Sequence, residues 1–194
     1  MIIGITGGTG CGKTTALNVI RQLGGVVLDC DAIYHRLLET DHTLLEAIEN
    51  RFPGTVADGQ LQRKKLGAIV FSDQSALADL NQITHGAVRQ EVLRQLESKP
   101  KLAAIDAIAL FEGHLAELCQ LTVAITAPME DRITRLMARD SITREYAESR
   151  ILAQRSNEEF AFLCDHVLEN TGTAQEFHSK CLAFFQALDI MKEN

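Results

Sequence analysis

Met1-Ile2-Ile3-Gly4-Ile5-Thr6-Gly7-Gly8-Thr9-Gly10-Cys11-Gly12-Lys13-Thr14-Thr15 opens the chain and decides its fold. The apolar run over residues 1–6 reads as a buried strand, and Ala16, Leu17, Val19, Ile20 and Leu23 recur at helical spacing just after the glycines. A strand, a glycine loop and a helix in that order give G-x-x-x-x-G-K-[ST] a mechanism. Glycines let backbone N–H groups turn inward around a phosphate, and the helix start adds unpaired donors and the positive end of its dipole. The loop therefore supplies a nucleotide-binding set of Gly8, Gly10, Cys11, Gly12, Lys13, Thr14 and Thr15. Lys13 suits the β- and γ-phosphates, and the Thr14 hydroxyl is the metal ligand, for Mg²⁺. The bland alternative, a glycine turn with no ligand, leaves Lys13 and Thr14 unexplained.

The rest of the composition narrows the class. A chain of 194 residues fits one sizeable domain or a core carrying insertions, and 46% hydrophobic content is that of a globular protein. The apolar runs are too short to span a bilayer and the first lacks a signal peptide's basic flank, so a cytoplasmic location without membrane attachment is expected. Five scattered cysteines without C-x-x-C spacing predict free thiols rather than disulfides or zinc, with Cys11 the one placed for exposure. A net charge of −7 disfavours a nucleic-acid partner and points to a small anionic ligand wherever basic residues converge.

Outward from the loop, Gly25–Asp29 reads as a second, parallel strand that ends in Asp29-Cys30-Asp31. Asp29 or Asp31 is expected to cap the helix that follows; a second aspartate facing the phosphate loop is placed to take a proton from a substrate hydroxyl or to bind Mg²⁺ through water, and Asp31 is the candidate for the catalytic role. Residues 32–96 then read as largely helical, with breaks at Phe52-Pro53-Gly54 and Asp58-Gly59 and stripes at Leu44/Leu45/Ile48, Leu66/Ile69/Val70, Leu77/Leu80/Ile83 and Val88/Val92/Leu96. So long a stretch between two strands exceeds a simple crossover and predicts a substrate-binding insert. Arg36, Arg63, Lys64, Lys65, His85 and Arg89 are its candidate anion contacts. Leu102–Ala107 is the third strand, with Asp106 as either a magnesium-assisting acid or a turn residue, and Glu112 beyond it facing the ligand edge. Leu121–Ala127 is the fourth. Arg132, Arg135 and Arg139 share one helix face, a pattern suited to phosphate, and a second helix over 143–155 makes the pair a lid that excludes water. Asp165–Asn170 is the fifth strand, the turn from Asn170 through Gly172 is a candidate base site, and a last helix runs from Ala174 to Met191.

Taken together, these residues resemble the dephospho-coenzyme A kinase family across nearly the whole chain. The resemblance is carried by the glycine loop, Asp29-Cys30-Asp31, Arg63 with Leu66 and Val70-Phe71, His85, Leu110-Phe111-Glu112, Arg135 with Arg139-Asp140, Gln154 and Asn170-Thr171-Gly172. It departs from the family pattern at Ile108, where proline is expected, at Ala109, where leucine is expected, and at Gly86, where proline usually follows the histidine. The family resemblance implies an α/β three-layer P-loop NTPase fold with a five-stranded parallel sheet, a helical substrate-binding insert and a helical lid. The core is expected over 1–31, 98–134 and 157–194, the insert over 32–97 and the lid over 135–156. It implies transfer of the ATP γ-phosphate to the ribose 3′-hydroxyl of dephospho-coenzyme A, with Mg²⁺. Asp31 would be the general base, with Lys13 and Arg139 completing the catalytic set. Arg135 and Arg139 would reach the phosphates from the lid, and Asn170 and Gly172 would lie by the adenine. Asp31, Arg63, His85 and Glu112 would receive the acceptor. A monomer or weak homo-oligomer is expected. The alternatives are another adenylate-kinase-like kinase acting on a nucleoside or nucleotide, and an ATP-binding paralogue of weakened activity. A GTPase switch would need an N-K-x-D motif, which the sequence lacks.

Overall fold

A computed structural model describes residues 1–190; Met191, the expected end of the final helix, lies outside the described residues. In chain order the elements are β1 (Ile2–Thr6), α1 (Lys13–Gln22), β2 (Val26–Asp29), α2 (Cys30–Thr40), α3 (His42–Arg51), β3 (Val56–Ala57), β4 (Gln60–Leu61), α4 (Arg63–Val70), α5 (Gln74–Leu96) and β5 (Ala103–Asp106). A 3-10 turn at Ala116–Leu118 leads to β6 (Leu121–Thr126), α6 (Met129–Asp140), α7 (Arg144–Leu152), α8 (Asn157–Leu163), β7 (His166–Glu169) and α9 (Ala174–Ile190). They gather into two compact units. One holds Met1–Val27, Pro100–Leu110 and the described residues from Ala116 onward; the other holds Leu28–Lys99 and Phe111–Leu115.

The first unit is built on a five-stranded parallel sheet in the order β2-β5-β1-β6-β7. Ile2 pairs with Ala103 on one side of β1, and Ile3 pairs with Leu121 on the other. Such a sheet is stable when both faces are covered, which is why its strands are nearly all apolar. Ile3 and Ile5 of β1 pack with Leu17 and Ile20 of α1 and with Phe177, Cys181 and Phe185 of α9. This bears out the apolar stripe expected of the last helix. The opposite strand face is tied to the 107–110 segment, where the Thr6 hydroxyl donates to the Ile108 carbonyl. Because the strands run parallel, the ends of β1, β5, β6 and β7 share one edge. From that edge emerge the glycine loop, residues 107–110, Pro128 and the turn at 170–173. Ligands of open α/β sheets bind at such an edge.

The second unit is helical around α5. Asp73 caps that helix, accepting from the Ser75 and Ala76 N–H groups, and α2, α3 and α4 all pack against it. The two apolar stripes expected over 77–96 are one continuous helix whose buried face is Ala76, Leu80, Thr84, Val88 and Val92. Leu77 and Ile69, expected in the core, are 36% and 38% exposed. Thr84 takes a buried place instead, because its hydroxyl bonds back to the Leu80 carbonyl and needs no outside partner. The break at Asp58-Gly59 is a hairpin turn between β3 and β4, both residues having positive φ, as a type I′ turn requires. The helix expected over 143–155 also differs from expectation. It ends at Leu152, and α8 follows under its own capping box of Ser156 and Glu159.

Candidate active site

The glycine loop is held by side chains that bind its backbone. Lys13 Nζ donates to the Gly7 carbonyl at 2.8 Å. Arg132 Nε donates to the Thr9 carbonyl at 2.9 Å, while Gln154 Oε1 accepts from the Thr9 N–H at 2.7 Å. Arg135 Nη1 reaches the Gly10 carbonyl at 3.2 Å, and Asn170 Nδ2 donates to the Cys11 carbonyl at 2.9 Å. Carbonyls satisfied in this way do not compete for the concave side, so the loop can present N–H groups to an anion. At the helix start, Gly12 takes φ 98° and offers no side-chain cap, leaving the first donors of α1 for a ligand. A side chain at Gly12 would be strained by that φ and would also press on Asn170, whose Nδ2 would sit 2.2 Å from the new Cβ.

Besides Lys13 on α1, the braces come from three other places in the chain. Arg132 and Arg135 are one turn apart on α6, and Gln154 follows α7. The two helices are joined through Ile133, Leu136, Ala147 and Ile151. Asn170 is buried just after β7, its own N–H bonded to the Thr126 carbonyl at the end of β6. Arg139, by contrast, is at the C-terminal end of α6 and exposed, in a bidentate pair with Asp140. Asp140 also takes Arg150 Nη1 at 2.6 Å, and these two arginines hold its carboxyl well below the usual range. Exposed pairs of this kind are worth little, so Arg139 can exchange Asp140 for another anion at low cost.

Cys11 is buried rather than exposed, at 1% of its free area, and burial pushes its thiol up despite the opposing charge of Lys13. The same thiol feels the carboxylate of Asp106, so β5 brings an acid close to the loop. The Thr14 hydroxyl is exposed in the first turn of α1. Thr14 and Asp106 are both hard oxygen donors, a set that suits Mg²⁺. Among the described residues no cluster of three or more His, Cys, Asp or Glu side chains could cage a metal.

In the second unit, Asp29 is the aspartate that caps α2, accepting from the Ala32 N–H at 2.9 Å. Asp31 lies exposed in the first turn of the same helix. Arg63 opens α4 and lines a cleft of about 380 Å³ with Leu38, Glu39, Gly59, Gln60 and Leu61. Its charge is also felt by the half-buried Tyr34 phenol, which burial pushes up. Glu112 is exposed on the short 111–115 segment, which α5 holds through a bond from Arg89 Nε to the His114 carbonyl. His85 is half-buried one turn before Arg89 on α5. Arg36 is engaged elsewhere, paired at 2.8 Å with Glu91. Sequence reasoning singled out Arg132 only as one of three arginines and Gln154 only as a residue in register. Their role as braces depends on pairings 123 and 145 positions apart, which helix periodicity cannot show.

A sequence model of the family described as dephospho-CoA kinase matches residues 1–176. A dephospho-CoA kinase of Thermus thermophilus is 36% identical over 177 residues, covering 91% of this chain and 86% of that one. A crystal structure of a Thermus thermophilus protein superposes with a TM-score of 0.81 at 35% identity, covering 96% of each chain. The dephospho-CoA kinase of Campylobacter jejuni gives a TM-score of 0.68 at 27% identity, again over 96% of each.

Proposed function

The chain belongs to the dephospho-CoA kinase family and is a phosphotransferase, and from that premise we propose how its residues divide the work. The observation that carries the proposal is that side chains satisfy the carbonyls of Gly7, Thr9, Gly10 and Cys11, which supports the reading that loop N–H groups and the start of α1 serve a polyphosphate. ATP is the donor. Lys13 gives up the Gly7 carbonyl for the β- and γ-phosphates, and Gly8, Gly10, Cys11, Gly12 and Thr15 enclose them through backbone. Thr14, with Asp106 nearby, would hold Mg²⁺, which when bound offsets charge on the β- and γ-oxygens. Arg135 lies closer to the triphosphate; Arg139, once released from Asp140, would stabilise charge on the transferring phosphoryl group. Asn170 fixes the loop from beneath, and the open turn at Gly172 is left to flank the adenine.

The acceptor is dephospho-coenzyme A, received in the second unit by Arg63, His85 and Glu112. Asp31 takes the proton of the ribose 3′-hydroxyl as that oxygen attacks the γ-phosphorus, and ADP leaves. Asp31 suits this role because Asp29 already does the capping, so its own carboxylate is not committed to the helix start. Leu110, next to the departures at Ile108 and Ala109, is fully buried and its carbonyl accepts from the Ala116 N–H. The reaction is that of a cytoplasmic enzyme with a small-molecule substrate. Purified protein with ATP, Mg²⁺ and dephospho-coenzyme A is expected to form coenzyme A and ADP in equal amounts. ATP binding without any coenzyme A formed at saturating acceptor would refute it in favour of a weakened paralogue. Turnover with a nucleoside or nucleotide instead would favour another kinase of this fold.

A further inference from the structure

Arg132 is 3% exposed, and its Nη2 is a buried donor with no hydrogen-bond partner. Its Nε is spent on the Thr9 carbonyl, and no carboxylate pairs with it among the described residues. The guanidinium lies directly against the loop: a Cβ at Gly8 would come within 2.2 Å of Nη2, and one at Gly10 within 2.9 Å of the Arg132 carbonyl oxygen. A buried cation with no counter-ion is unfavourable, because burial removes its hydration without supplying an opposite charge. Here the cost is carried against a glycine loop whose backbone suits an anion. Lys13 and Arg135, the other cations that touch the loop, are half-buried and keep access to water, so Arg132 is the one whose charge must be answered from within the site.

We propose that Arg132 is a positioning residue for the nucleotide, acting from behind the glycine loop: it fixes Gly8 and Thr9, and its buried charge is neutralised by the phosphates bound on the other side. This rests on the loop being the nucleotide site. It adds a residue that reads the number of phosphates without touching the base or the acceptor. At short range and in a water-poor setting, a fixed charge favours a trianion or tetraanion over a monophosphate. The strict lack of space at Gly8 follows from the same contact, since a side chain there would displace the guanidinium.

Equilibrium titration of the full-length protein with ATP, ADP and AMP tests the idea, using wild type and Arg132→Met. The expected loss is about tenfold or more for ATP, less for ADP and under about threefold for AMP. Arg132→Lys, which keeps a charge, should recover most of the ATP affinity. A loss for ATP no greater than that for AMP, or no loss at all, overturns the proposal, because a merely structural arginine would weaken all three alike. Should Arg132→Met not fold, Arg132→Gln keeps a donor for the Thr9 carbonyl without the charge, and the same comparison decides. Wild-type protein that binds no ATP would instead refute the nucleotide-site reading itself.

Discussion

Asp29 and Asp31 are two residues apart and of one type, yet the structure gives them different work. Asp29 caps α2 through the Ala32 N–H, so its removal should be felt as stability. Replacing a capping Asp with Ala costs about 1 kcal/mol, or about 2–4 °C in Tm for a chain of this size. Asp31 has an exposed carboxylate in the first helical turn, where its charge favours the helix dipole by a few tenths of a kcal/mol at most. The proposed base role therefore predicts a separation of effects. Asp31→Asn should lower kcat by about 10²–10⁴ while Tm stays within about 1–2 °C and ATP affinity is unchanged. Steady-state kinetics beside thermal melts of Asp29→Ala and Asp31→Asn make the comparison. Wild-type kcat in Asp31→Asn would remove it from the chemistry. The sequence alone predicted a cap and a base from this pair without assigning the cap; the Ala32 N–H, a backbone group, settles it.

At the scale of elements, α5 is the spine of the second unit and Glu91 is its main polar fastening. Its carboxylate receives Arg94 from its own helix, Gln95, and Arg36 across from α2. The Arg94 hydrogen bond is the chief reason that its pKa falls from the ordinary 4.5 to about 2, against the opposing effect of burial. A folded pKa below the unfolded one means that the unfolded chain binds more protons in this range. The stabilisation is therefore complete above about pH 4.5 and is lost as pH falls towards 2. Glu91→Gln should lower Tm by about 2–4 °C at pH 7, for roughly 1 kcal/mol of partly exposed pairing, and the two melting curves should converge at the acid end. A constant gap across that range would assign the loss to packing instead. The helical run over α5 was legible, but not that its two stripes share one buried face, because Thr84 and Gly86 interrupt the apolar pattern. The β3–β4 hairpin went unread for another reason. Its strands are two residues each, too short for alternation, and part of its shape comes from Glu49, which accepts from the Gly54 and Val56 N–H groups. The capping box of α8 was present as Ser156-x-x-Glu159, but a seven-residue helix offers too little apolar periodicity to confirm it. What the sequence could not supply at the site was the bracing of the loop, since Arg132, Gln154 and Asn170 meet residues 9–11 only after the sheet has formed.

For the molecule as a whole, the division into two compact units corresponds to a division of ligands in the proposed reaction. Every residue placed on the ATP phosphates, and every brace behind the loop, belongs to the first unit; Asp31, Arg63, His85 and Glu112 belong to the second. Each unit has buried residues of its own, the first Ile3, Ile5 and Phe177 and the second Ile48, Phe52 and Val92. Ligand binding slows local opening where the ligand contacts are made. Hydrogen exchange read by mass spectrometry should therefore show ADP protecting residues 8–15, the start of α6 and the 170–173 turn, with little change over 60–70 and 80–90. Dephospho-coenzyme A alone should do the reverse, slowing exchange around Arg63, His85 and residues 111–115. If the acceptor left the second unit unchanged and protected only the glycine loop, both ligands would share the first unit. The helical insert would then serve some purpose other than holding the acceptor.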